Sequence, residues 1–155
     1  MENSNQSPLS IQLADIVTQL FIHCHKKEAR FVHIYNVTPI EFRTLRFLNN
    51  SRKLTVGELA HDMDLTTSRI TRIIDSLEEK GYVIREPGKN DRRIYNLSLT
   101  ATGKRQIKKM LYDYLSLHED ILKTIKPEDQ KVMLRYLLKL KNALEEWLYD
   151  KDDEE

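Results

Sequence analysis

Residues 55–103 read TVGELAHDMDLTTSRITRIIDSLEEKGYVIREPGKNDRRIYNLSLTATG. Thr55 with Glu58 three residues later is a capping box, and Val56, Leu59, Ala60 and Met63 supply the inner face of a short helix. Leu65, Thr66 and Thr67 make a turn, after which Thr66 caps a second helix that directs Ile70, Ile73, Ile74 and Leu77 inward. Gly81 ends that helix, because glycine enters the left-handed conformation without strain. Tyr82 to Glu86 and Ile94 to Leu99 nearly alternate apolar side chains, and between them Pro87 and Gly88 open a charged tip, Lys89-Asn90-Asp91-Arg92-Arg93. Thr100 then caps another helix. Helix, turn, helix, hairpin, helix is the order of a winged helix-turn-helix, so the chain is predicted to be mainly α with a small two- or three-stranded β wing.

Upstream, Ile11, Ala14, Val17, Thr18, Phe21, Ile22 and Cys24 or His25 recur at helical spacing from near Ser10 to about His33. Thr38, Pro39 and Glu41 present a capping residue, a proline at the first helical position and a returning carboxylate, with Phe42, Leu45 and Leu48 inward. Downstream, Ile107, Met110 or Leu111, Tyr114 or Leu115, His118, Ile121 or Leu122 and Ile125 keep helical register until Pro127. A last helix then stripes Val132 or Met133, Tyr136 or Leu137, Leu140, Leu144 and Trp147 or Leu148. Residues 36–102 thus read as a winged helix-turn-helix module, and 10–35 with 103–149 as a helical dimerisation region. The terminal helices hold more apolar surface than the central module covers, and a two-fold homodimer buries it. Folding back onto the module as a monomer is the competing reading.

The chain has 155 residues and a formal net charge of +1, with 40% hydrophobic and 32% charged residues, which suits one compact domain with helical extensions. It carries no apolar run of membrane-spanning length, and its polar start lacks the features of a secretion signal, so a cytoplasmic protein without a membrane partner is expected. Cys24 is the single cysteine and forms no internal disulfide. Charge is segregated: basic residues exceed acidic ones from Arg52 to Lys109, and the end from Glu145 onward is acidic. A duplex responds to such local charge more than to the net value.

Double-stranded DNA is the partner this pattern predicts. Thr66, Thr67, Ser68, Arg69, Thr71 and Arg72 place short hydrogen-bonding groups and guanidiniums in the first turns of the second helix, the part of a recognition helix that reaches deepest into the major groove. Arg69 and Arg72, three apart, share a face, one suited to guanine and the other to a phosphate. The plainer alternative is a solvated face whose arginines pair with Asp75 or Asp62. In the tip, Asp91 and Arg93 point the same way, so the carboxylate aims the guanidinium at a narrow minor groove, while Arg92 and Lys89 suit phosphates. The competing reading there is a charged turn that keeps a hairpin soluble.

Taken in order, Leu59-Ala60, Ser68 to Arg72, Leu77 to Gly81, Arg85, Asp91-Arg92-Arg93 and Leu97 to Gly103 resemble the multiple-antibiotic-resistance regulator (MarR) family over nearly the whole chain. The resemblance implies a homodimeric winged helix protein, usually a repressor, that binds a pseudo-palindromic operator and is released by a small ligand or by oxidation. It implies that Asp91 and the wing arginines matter for operator binding. It also implies an effector pocket between the dimer helices and the DNA-binding module.

A small-molecule effector would sit among Phe21, His25, Phe31, Tyr35, Phe42 and Tyr114, although such side chains are more often plain core. Cys24, flanked by His23 and His25, lies in the helix where peroxide-sensing members of the resembled family carry a cysteine. With no second cysteine, its oxidation would end in a mixed disulfide, a bridge between subunits or a sulfenic acid. No metal site is expected, because His23, Cys24 and His25 diverge by about 100° per residue around a helix and cannot grip one ion. His25 or His118 with acidic residues is the least poor alternative. No cofactor is implied, and an enzyme is not expected: the four glycines form no phosphate cradle and no nucleophile stands with a base. A winged helix used for protein contact is the other class, but it calls for an apolar face poor in arginine.

Overall fold

A computed structural model of the chain describes residues 7–50, 54–87 and 95–152. The elements run α1 (Pro8–His33), α2 (Pro39–Asn50), β1 (Leu54–Thr55), α3 (Val56–Asp62), α4 (Thr67–Glu79), β2 (Val83–Pro87), β3 (Tyr95–Leu99), α5 (Ala101–Lys123) and α6 (Pro127–Asp152). The fold is mainly α with a small sheet of strand order β1-β3-β2, the three-stranded form of the predicted wing. Both pairings are antiparallel, with Leu54 opposite Leu97 and Val83 opposite Leu99.

The helix ends follow local chemistry. Thr38 N–H donates to Glu41 Oε2 at 2.7 Å and Glu41 N–H to Thr38 Oγ1 at 3.3 Å, closing the box that starts α2. The same reciprocal pair joins Thr55 and Glu58 at α3, and Thr66 Oγ1 accepts from Arg69 N–H at the start of α4. Gly81, at φ +70°, ends α4: Tyr82 N–H reaches back to the Leu77 carbonyl at 2.9 Å. Tyr82 is thereby taken out of the strand, and β2 begins one residue later than the alternation suggests. Likewise α1 starts at Pro8 because Ser7 caps it.

The described residues up to Leu111 form one compact unit and those from Tyr112 a second. The first holds the core, in which Phe42, Leu45, Leu59, Ile70, Ile74, Leu77, Leu97, Ile107 and Met110 are fully buried. Val56 and Met63, read as inner-face residues of α3, are only half-buried. Gly103 on α5 is required by that packing, since a Cβ there would lie 2.0 Å from the Tyr82 carbonyl oxygen. In the second unit Gln130 Nε2 donates to the Leu122 and Ile125 carbonyls at 3.0 Å, tying the start of α6 to the end of α5.

Candidate nucleic-acid interface

α4 is the second helix of the helix-turn-helix, and its buried side chains, Ile70, Ile73, Ile74 and Leu77, lie along one stripe. The opposite stripe, by helical geometry, is Ser68, Arg72, Asp75 and Glu79, with Arg69 on one flank and Thr67 and Thr71 on the other. Thr66, Thr67, Ser68, Arg69 and Arg72 are all exposed, and Thr71 is half-buried with its hydroxyl donated to the Thr67 carbonyl at 2.8 Å. The predicted α4 set is therefore brought together at the open end of one helix. The turn before it contains Asp64 at φ +52°, a left-handed residue that brings Leu65 N–H back to the Ala60 carbonyl at 2.9 Å.

Among the described residues neither Arg69 nor Arg72 forms an ion pair. Asp75, the partner considered for them, is held instead by Arg85 Nη2 at 2.6 Å, and Asp62 lies 3.4 Å from His61 Nδ1. Neither arginine is paired with Asp75 or Asp62, the two acids named for them. Two guanidiniums stand next to the free N-terminal end of α4, where the unsatisfied N–H groups and the helix dipole also favour negative charge.

The orientation of α4 rests on a buried carboxylate whose sequence context marks it only as a helix cap. Glu41, 3% exposed, accepts from Ser76 Oγ at 2.6 Å and from Lys80 Nζ at 2.7 Å on both oxygens, besides its bond from Thr38 N–H. Burial pushes its carboxyl up, but the bonds from Lys80, Ser76 and Thr38 outweigh it and hold the group below the usual carboxylate range. The link pins the last turns of α4 to the start of α2.

Lys89, Asp91, Arg92 and Arg93 lie outside the described residues. The strands that lead to them are in place, with Pro87 opposite Tyr95. Of the aromatic set, Phe31 and Phe42 are buried with ring centroids 5.5 Å apart, and Tyr35 packs at 5.4 Å from Phe31. Phe21 and His25 stack on each other at 6.4 Å on an exposed stretch of α1, where Cys24 is exposed as well. Tyr114 belongs to the second unit and packs against His118 at 4.4 Å. Among the described residues no helix is long and apolar enough to cross a membrane.

Residues 37–95 match the model of the MarR family. An uncharacterized HTH-type transcriptional regulator of Bacillus subtilis, YcgE, is 31% identical over 110 residues, 71% of this chain and 71% of that protein. The HTH-type transcriptional repressor MdtR of the same organism is 27% identical over 145 residues, 94% of this chain and 92% of its own length. Among solved structures, Streptococcus pneumoniae FabT in complex with DNA shares the fold with a TM-score of 0.77 at 21% identity, covering 89% of this chain and 99% of that one. Helix order, sheet, capped recognition helix and sequence likeness agree, and the chain belongs to the MarR family of winged helix-turn-helix transcriptional regulators.

Proposed function

We propose that the protein is a homodimeric repressor that binds a pseudo-palindromic operator, with α4 of each subunit in a major groove and the wing residues Lys89, Asp91, Arg92 and Arg93 at the flanking minor groove. The observation that carries this reading is the pair Arg69 and Arg72, exposed and without an ion pair among the described residues, beside Thr67 and Ser68 at the open end of α4. Repression is supported by likeness to MdtR, named a repressor, and duplex binding by likeness to FabT, solved with DNA. The dimer is supported by apolar side chains left exposed on single helices: Leu13, Ile16 and Leu20 on α1, and Leu134, Leu138 and Trp147 on α6. Release by a small-molecule effector completes the reading, by changing the separation of the two reading heads. Within the aromatic set Phe21, His25, Tyr35 and Tyr114 keep accessible ring surface, whereas Phe31 and Phe42 are committed to the core.

Selection from a random duplex library tests the reading. Enriched sites should contain an inverted repeat with half-site centres about 10 base pairs apart, the spacing set by one turn of the double helix. Absence of any enriched sequence, or enrichment of single half-sites, contradicts the dimeric reading of DNA.

A further inference from the structure

Asp75 stands on the outward stripe of α4 and Glu78 on its flank, where negative charge costs affinity for phosphates. Both converge on one side chain of the neighbouring strand. Arg85 on β2 donates through Nη2 to Asp75 Oδ1 at 2.6 Å and to the Thr71 carbonyl at 3.4 Å, and through Nη1 to Glu78. Glu78 also accepts the Arg85 backbone N–H at 3.0 Å, so it grips strand and side chain together. Thr71, Asp75 and Glu78 follow one another along a single strip of α4. The Arg85 side chain is 24% exposed. Its rigid fork is directed at the protein instead of outward at a phosphate.

We propose that Arg85 is a positioning residue for duplex recognition: it ties β2, the strand leading into the wing, to the edge of the recognition helix, so that helix and wing address DNA as one rigid reader. The inference rests on the DNA-binding reading above. The two acids are kept beside the DNA face because they hold the guanidinium that fixes the angle between helix and strand. The consequence is opposite in sign to simple electrostatics. Removing the Asp75 charge should strengthen binding to any duplex if the acid only repels phosphates, and should weaken binding to the preferred sequence if the acid works through Arg85.

The test uses the full-length protein, a duplex enriched by the wild type from a random library, and a scrambled duplex of equal length. Asp75→Asn, Arg85→Gln, Arg85→Lys and the Asp75→Asn/Arg85→Gln double variant are compared by anisotropy across a salt series, with thermal unfolding alongside. The single variants Asp75→Asn and Arg85→Gln are expected to lose roughly three- to thirty-fold in affinity for the enriched duplex, within the range of coupled side-chain networks. Scrambled-duplex binding should not weaken, the salt slope should be unchanged, and the double variant should be little worse than either single one. Arg85→Lys should recover part of the loss, since an ammonium reaches one carboxylate but does not bridge the set. Tighter binding of Asp75→Asn to both duplexes, a slope reduced by about one in Arg85→Gln, or a lowered melting temperature with unchanged affinity would each overturn the proposal. A wild type that enriches no sequence removes the DNA reading itself, and the proposal with it.

Discussion

Glu41 shows how one side chain joins local and long-range structure. As the third residue of α2 it closes a capping box with Thr38, which the spacing alone predicts; its other bonds, to Ser76 and Lys80, come from 35 and 39 residues away, beyond any local pattern. Its folded pKa lies below the ordinary value of 4.5. The ionised group therefore stabilises the fold at neutral pH, and that contribution drains away as the pH falls below about 4.5 through the folded value. In Glu41→Gln, urea midpoints at pH 7 should drop and their dependence on acid should flatten; an unchanged acid dependence would show that the carboxylate is not linked to folding. Glu41→Ala, which strands the Lys80 ammonium, should cost about 3 kcal/mol, the low end for breaking a buried pair because Lys80 keeps some solvent. Arg69 and Arg72 are separable in the same way. The one that contacts a base should lose about 1–3 kcal/mol and relax sequence preference on change to alanine, and the one that holds a phosphate should lower the salt slope by about one. Identical behaviour of both variants on enriched and scrambled duplexes would place neither at a base.

At the scale of elements, two glycines at the ends of the hairpin fail for different reasons when a methyl group is added. Gly81 has open space around it but sits at φ +70°, so Gly81→Ala should cost about 1 kcal/mol from backbone conformation alone. Gly103 lies in ordinary helix, yet its added Cβ would meet the Tyr82 backbone, and Gly103→Ala should cost about 3 kcal/mol or more, because neither α5 nor the Tyr82 carbonyl yields easily. Denaturant unfolding of the two variants checks the order; an equal cost would mean that α5 shifts freely. The first constraint was legible, since a glycine after an amphipathic run is a stop signal. The second was not, because Gly103 owes its role to a strand end that only the fold brings near. The two boxes at Thr38 and Thr55 and the cap at Thr66 were likewise readable from neighbouring residues. β1 leaves no sequence signal, as two residues, Leu54 and Thr55, carry no period, and Thr55 serves both strand and cap. Arg85 stood out in the sequence only through the family resemblance; its hold on Asp75 depends on the fold bringing β2 beside α4.

At the scale of the whole molecule, burial stops abruptly along the chain. No described residue after Met110 is buried, and none in α1 before Glu28. Long helical stretches without buried side chains, α1 before Glu28 and the described part of α6, are not stabilised by propensity alone, so their exposed apolar side chains call for a partner, which in the proposed reading is a second copy. Charged substitutions at two exposed leucines of α6, Leu134→Lys with Leu138→Lys, should shift sedimentation toward monomer and weaken operator binding together, because a lone reading head loses the second half-site. Dimers of unchanged strength would move the interface away from α6. The most direct measurement of all is the affinity of the full-length protein for its enriched duplex and for a scrambled duplex across a salt series. Tight binding with a steep salt slope and a preference of about a thousand-fold or more for the enriched sequence is the predicted result; equal affinity for the two duplexes at every salt concentration would contradict sequence-specific recognition by α4.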